Sequence, residues 1–377
     1  MEIAVLTSSR ADFGFYKPLL NILADKKEVH ANLIVFGTHL SQAHGYTITD
    51  IIDSGYNVFK EIDVIPKGDT PADIAKTIGN AHIKFADFWA MNHFDLILCL
   101  GDRYEMFAAI SASIPFNIPI AHISGGEETL GAIDNVYRHS LSLMAKFHFT
   151  NTQNNAERVK QITGSTTNIY HTGSLAIDNV NDTKLYNSIE FKEIFNFDLD
   201  QPFILFTFHP ETVEYEKNKE YAQIIENLLI DIEYSVLVTM PNADTMGGII
   251  REALHKAADK NKNICLIESL GSKGYYTALK NSILVLGNSS SGIVEAASFS
   301  KYVINLGNRQ LGRETGDNVI NSKIDKDEIS KAIKRVQKLP KLDNKNIYGD
   351  GNASIKIYEV LKRISNDLQK NNIKIIS

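Results

Sequence analysis

Short, almost wholly apolar runs alternate along this chain with longer stretches of helical period. In the first half the runs are "EIAVLTS", "ANLIVFGT", "YNVFKEI", "DLILCLGD", "IPIAHISGG", "KFHFTNT" and "NIYHTGS". Between them, stretches such as 71–91 and 135–145 have helix-like spacing. Strands apolar on both sides of the pleat, joined by helices, indicate a parallel sheet covered on both faces. The pattern pauses over about 176–200, a polar stretch without strand character, and then restarts with "FILFTFHP", "YSVLVTMP", "NICLIES", "SILVLGNSS" and "KYVINLG". The reading is two doubly wound α/β domains, 1–183 and 184–354, with 355–377 as a helix packing back on the first. Ligands of such sheets bind beyond the carboxyl ends of the strands, so a cleft between two of them is the expected site.

Composition narrows the partners. The chain has 377 residues, with 39 basic against 45 acidic side chains and a net charge of −6. That balance argues against a nucleic-acid or membrane surface, so an anionic small molecule would have to be held by local Arg, Ser and backbone N–H groups. Cys99 and Cys265 both sit in apolar runs and lack metal-ligand spacing, which suits buried thiols in a reducing compartment. The first residues already read as a strand, and no apolar run reaches about 18 residues. A cytoplasmic protein is expected.

The unusual residues collect where apolar runs end. After the first run come Ser8, Ser9 and Arg10, either a capped loop with a surface arginine or a phosphate contact. Neither G-x-G-x-x-G at this loop nor G-x-x-x-x-G-K-[ST] anywhere is present, so no dinucleotide cofactor or P-loop is indicated. "CLGDRYE" (99–105) places Asp102 and Arg103 at a strand mouth, as a structural ion pair or as a proton-handling carboxylate beside an anion-binding arginine. "AHISGGEETLGAIDNVYRHS" (121–140) brings two glycines, which permit close backbone approach to a ligand. It also brings Glu127, Asp134 and Arg138, the last two sharing a helix face.

In the second domain His209 ends "FTFHP", either structural or able to bind a phosphate oxygen or give a proton to a leaving group. Asn242 in "MPNAD" ends the neighbouring run in the same fashion. Ser289, Ser290, Ser291 and Gly292 precede a helix whose free N–H groups and dipole favour an anion. Glu295 is acceptor-only and suits the paired hydroxyls of a ribose rather than phosphate. Arg309 and Arg313 lie in a glycine-rich loop beyond the next strand, as expected beside a diphosphate. No Ser-His-Asp triad spacing and no metal-ligand cluster is evident. A nucleoside diphosphate in the second domain, with carboxylates of the first facing its sugar, is the reading from the residues themselves.

"SSRADFG", "GDRYE", "HISGGE…AID…RHS", "HPET", "GNSSSGIVEA", "NLGNRQLGRETGDNV" and "IYGDGNA", in this order, resemble the UDP-N-acetylglucosamine 2-epimerases. The likeness is strongest to the hydrolysing branch of sialic-acid-type and legionaminic-acid pathways, which serve cell-surface polysaccharides. It implies two Rossmann-like domains of the GT-B type, no metal or redox cofactor, and a homodimer or tetramer. It further implies that a base removes the C2 proton of a nucleotide-linked 2-acetamido sugar, UDP departs from C1, and water adds as C2 is reprotonated on the other face. By motif position Asp102, Glu127, Asp134 and His209 take catalytic roles. Arg10, Arg103, Asn242, Ser289, Ser290, Glu295 and Arg309 take nucleotide-binding roles, and Ser124, Arg138 and Arg313 touch the sugar side.

One departure matters: several members have Glu where this chain has Ser124. A serine does not transfer protons as a carboxylate does, so the work falls to Asp102, Glu127 or Asp134. UDP-N-acetylglucosamine is the first substrate expectation, with N-acetylmannosamine as the sugar released. A UDP- or GDP-linked 2,4-diacetamido-2,4,6-trideoxyglucose is the alternative. A non-hydrolysing epimerase, a GT-B glycosyltransferase and a nucleotide-sugar-binding regulator are further readings. The last two leave the acidic cluster without a use.

Overall fold

A computed structural model describes residues 1–371 apart from 43–44, 66–67, 69, 131–132, 212–214 and 242–246. The chain divides into two compact units. The first gathers Met1–Glu127, Ile133–Asn179 and the chain from Tyr348 onward; the second comprises Glu128–Ala132 and Val180–Ile347.

Seven parallel strands form the first sheet: Glu2–Thr7 (β1), His30–Phe36 (β2), Val58–Ile62 (β3), Leu96–Leu100 (β4), Ile120–Ile123 (β5), Phe147–Thr150 (β6) and Ile169–His171 (β7). Their order is β3-β2-β1-β4-β5-β6-β7. Both faces are covered, which is why the strands read as continuous apolar runs. Ile3 and Val5 join one core, while Ala4 and Leu6 join the other. Cys99 is buried in β4. The final helix, Ala353–Asn371, packs on the helix Arg10–Ala24. Its start is capped from elsewhere in the same unit, since the buried Asp178 carboxylate accepts the N–H groups of Ala353 at 2.9 Å and Ser354 at 2.6 Å.

The second sheet is built from Phe203–Thr207 (β8), Ser235–Thr239 (β9), Ile264–Ile267 (β10), Leu284–Gly287 (β11), Val303–Leu306 (β12) and Val319–Ser322 (β13), in the order β10-β9-β8-β11-β12-β13. Strand β13 escapes the sequence pattern because it is a short, half-exposed edge strand without an apolar run. The polar pause also holds more than a connection. Helices Leu175–Asp182 and Ser188–Phe195 form there, the second closed by a reciprocal capping box between Asn187 and Glu190. Cys265, in β10, is partly exposed rather than buried. No helix among the described residues is long and apolar enough to cross a membrane.

Strand order reverses between β1 and β4 in the first sheet and between β8 and β11 in the second. At such switch points the loops leaving the carboxyl ends diverge and open a crevice.

Candidate active site

In the first unit the loops after β4, β5 and β6 stand side by side, because those strands are neighbours in the sheet. They carry Asp102, the 124–127 turn and Asn151. The buried Arg138, from the helix Asp134–Met144, joins two of them. Its Nη2 donates to Asp102 Oδ2, and its Nη1 lies 3.8 Å from Glu127 Oε2. On the far side of Glu127, Asn151 Nδ2 donates to Oε1 at 2.5 Å and approaches Ser124 Oγ at 3.1 Å. Asp134 opens the same helix one turn before Arg138. Burial, then the Asp102 charge, push its pKa up. The cluster thus holds two carboxylates on a buried cation and a third that keeps its proton to higher pH.

His122 belongs to the scaffold of this site. Its Nε2–H donates to the Gly101 carbonyl at 2.8 Å, and Nδ1 lies 3.1 Å from Ser142 Oγ. Burial takes its pKa down to about 3, so the ring is neutral and pins the turn that bears Asp102. The two glycines also serve the protein itself. A Cβ on Gly126, whose φ is +78°, would come within 2.2 Å of the Asn155 carbonyl oxygen. One on Gly125 would meet Ser142 Oγ at 2.8 Å. Packing within the protein alone therefore already disfavours a side chain at both positions.

Arg103 faces Glu105, whose Oε1 accepts from its Nη2 at 2.7 Å. Arg10 is exposed as the first residue of its helix, which Ser9 caps by accepting from the Asp12 N–H. Ser8 is engaged too, donating its hydroxyl to Asp12 Oδ2 at 2.6 Å.

In the second unit the ends of β8, β11 and β12 are laced together by side chains. Asn288 grips the backbone of His209 at two points, accepting its N–H at 2.7 Å and donating to its carbonyl at 2.8 Å. Gln310 donates to the Asn288 carbonyl at 2.9 Å. Glu211 Oε1 accepts the N–H groups of Asn308 and Arg309, each at 3.0 Å, and so sets the start of the arginine loop. Burial, then the neighbouring Arg309 charge, lower the His209 pKa to about 4. His209 is therefore a neutral hydrogen-bond donor before any anion arrives.

Gly287 ends β11 with φ +140°, where a Cβ would lie 1.8 Å from the Thr207 carbonyl oxygen. Only glycine lets β11 turn there so close to β8. The helix that follows, Ser290–Val294, has five residues, with Ser289 as its N-cap. So short a helix carries little dipole, and the anion reading rests on loop N–H groups and hydroxyls instead. Ser290 is exposed. Ser291 Oγ lies 2.5 Å from the Tyr275 hydroxyl and 3.2 Å from Ser289 Oγ.

Glu295 closes this helix as its C-cap rather than standing inside a longer one. Its carboxyl is buried, and its Oε2 has no hydrogen-bond partner among the described residues. Burial raises its pKa to about 7 against the opposing pull of the Tyr276 hydrogen bond and the Arg313 charge. A buried acceptor left unmet is expensive unless a ligand meets it.

One unit thus sets three carboxylates around an arginine at its strand ends, and the other sets serines, arginines and a buried glutamate at its own; a comparison of sequences names the family that carries such chemistry. A sequence profile of that family, UDP-N-acetylglucosamine 2-epimerase, matches residues 21–362. The chain belongs to this family. It is 32% identical over 363 residues, 96% of each chain, to a Legionella pneumophila protein named UDP-N,N'-diacetylbacillosamine 2-epimerase (hydrolyzing). It is 33% identical over 337 residues to polysialic acid biosynthesis protein P7 of Escherichia coli, covering 88% of this chain and 85% of that one. The crystal structure of UDP-GlcNAc 2-epimerase from Neisseria meningitidis bound to UDP-GlcNAc superposes with a TM-score of 0.80 at 18% identity, over 96% of this chain and 100% of that one. That likeness establishes the shared GT-B fold, and the chain is an enzyme of the nucleotide-sugar 2-epimerase kind.

Within this family member, the structure gathers Asp102, Ser124, Glu127, Asp134 and Arg138 in the first unit. In the second it gathers His209, Ser289, Ser290, Glu295, Arg309 and Arg313 around the neighbouring strand ends. Asn242 lies outside the described residues. Reasoning from sequence passed over Asn151, Glu211, Asn288, Gln310 and Tyr276. The available signal was position, since Asn151 and Asn288 each directly follow a buried strand, as Asp102 and His209 nearly do.

Proposed function

We propose that the protein hydrolyses a UDP-linked 2-acetamido sugar with inversion at C2, releasing UDP and the mannose-configured free sugar. The observation that carries this reading is the Asp102–Arg138–Glu127 cluster with Asp134, whose pKa burial raises, beside it. Asp102, whose side chain keeps 24% exposure against 8% for Glu127, takes the C2 proton. The electron pair of the C2–H bond forms the C1=C2 double bond as the C1–O bond breaks and UDP leaves. Neutral His209 donates a hydrogen bond to the departing diphosphate, and Glu295 accepts from the ribose hydroxyls. Asp134 then protonates C2 on the opposite face while water adds at C1 and gives its proton to Glu127. The sum is substrate plus water going to UDP plus epimerised sugar, with each carboxylate reset by solvent exchange.

For the sugar, the end-to-end match to the Legionella protein supports 2,4-diacetamido-2,4,6-trideoxyglucose, N,N'-diacetylbacillosamine, as the first choice. UDP-N-acetylglucosamine is the second reading, supported by the name of the family profile. The likeness to protein P7 supports a place in making a sialic-acid-type sugar for a cell-surface polysaccharide. Rates of UDP release from both nucleotide sugars separate the two. The diacetamido substrate is expected to be turned over with kcat/KM about 10-fold higher or more, a difference of about 1.4 kcal/mol in transition-state binding. A higher value for UDP-N-acetylglucosamine would reverse the order.

A further inference from the structure

On the side away from Arg138, Glu127 is held by the turn after β6 and the helix Gln153–Thr163 that follows it. Asn155 Nδ2 and Arg158 Nη1 both donate to the carbonyl of Gly126, at 3.3 and 2.8 Å, which fixes the peptide leading into Glu127. Asn151 fixes the carboxylate itself through the 2.5 Å bond to Oε1. The amide orientation is decided by chemistry, since turning the carboxamide over would set Oδ1 against a carboxylate oxygen. The same nitrogen reaches Ser124 Oγ at 3.1 Å, and Ser124 itself sits at φ +65°. Asn151 is buried, so solvent does not replace its donor if the side chain is lost.

We infer that Asn151 is a positioning residue for the reaction, acting through Glu127: its amide donor sets which way the Glu127 carboxylate points, leaving Oε2 on the side of Arg138. This rests on the proton-accepting role proposed for Glu127. The donor is the essential property, not the volume. Without the Asn151 donor the carboxylate keeps only its Oε2 side near Arg138 among the contacts described above and loses alignment with the water it must deprotonate, and small misplacements of this kind are costly.

Three substitutions separate a donor from a space-filler. Asn151→Asp keeps the shape but sets an acceptor against Oε1, Asn151→Ala removes both donor and volume, and Asn151→Ser keeps a donor on a shorter stem. The expected order of kcat is wild type, then Ser, then Ala, then Asp, with Ala down about 10- to 100-fold and KM little changed. Thermal unfolding and UDP binding by calorimetry, the latter assigned to the second unit, establish that each variant is folded. A purely structural residue would instead leave the isosteric Asp variant the best of the three, and that ranking would overturn the inference. Glu127→Gln serves as the control: near wild-type turnover there would fail the proposed role of Glu127. An inactive Glu127→Gln beside an Asn151→Asp more active than Asn151→Ala would fail the role of Asn151 alone.

Discussion

Replacing Asp102 by Asn is expected to lower UDP release about 10²- to 10⁴-fold, the usual worth of a positioned proton-transfer group, while UDP itself binds as before. The structure makes this a clean substitution. Asparagine retains an oxygen to accept from Arg138 Nη2, and Arg138 keeps Glu127 Oε2 at 3.8 Å, so its buried charge is not abandoned. What is lost is the basicity of the group that must receive the C2 proton. A coupled assay of UDP release and a calorimetric titration with UDP check the two halves separately. Turnover near the wild-type rate would remove Asp102 from proton abstraction, and loss of UDP affinity would point to a wider disturbance.

Glu295→Gln is expected to weaken UDP binding and to stabilise the unliganded protein in the same pH range. In solution this carboxyl ionises near 4.5, whereas burial raises its pKa in the folded chain to about 7. Between these values the folded state holds a proton that the unfolded state has lost. As far as this group is concerned, stability is greatest below the lower value and falls as pH rises to about 7, by about 3 kcal/mol. The glutamine variant lacks that cost, so its melting temperature should exceed the wild type's at about pH 8 and match it near pH 4.

Binding runs the other way. In the role proposed for it, an ionised Glu295 accepts from two ribose hydroxyls, and loss of the second acceptor should cost about 1–3 kcal/mol. Wild-type affinity for UDP should therefore rise through about pH 7 more steeply than the variant's, because titration of the diphosphate is common to both. An unchanged UDP affinity in the variant would remove Glu295 from the ribose.

These two residues differ in how plainly the chain announces them. Asp102 follows a wholly buried strand, and charge at such a place needs a reason that a sequence alone can raise. Glu295 was visible as a lone acid after serines, but its protonation depends on burial, Tyr276 and Arg313, which no spacing reports. Side-chain clamps across strands were invisible for a related reason. Asn288 and His209 are 79 residues apart and meet only because β8 and β11 are neighbours across the switch point. The glycines carry a packing demand that no spacing reports, since a Cβ on Gly126 would meet the Asn155 carbonyl. Inner strands such as β1, β4, β5 and β8 were legible because burial on both faces leaves an apolar run, whereas the exposed edge strands β3 and β7 show only a few apolar positions. β13 lies at an edge, half exposed, and leaves none. The end of the short helix Ser290–Val294 leaves no mark in the sequence, because the apolar residues after it continue into a 3₁₀ turn, Ala296–Phe299.

In the proposed reaction, breaking the C1–O bond and inverting C2 proceed through one proton-abstracting site. Proton NMR of the purified protein in D₂O, supplied with the UDP-linked diacetamido sugar, tests it most directly. The expected result is free UDP together with a mannose-configured sugar carrying deuterium at C2. Epimerised sugar still linked to UDP, or released sugar that retains its original C2 proton and configuration, would contradict it.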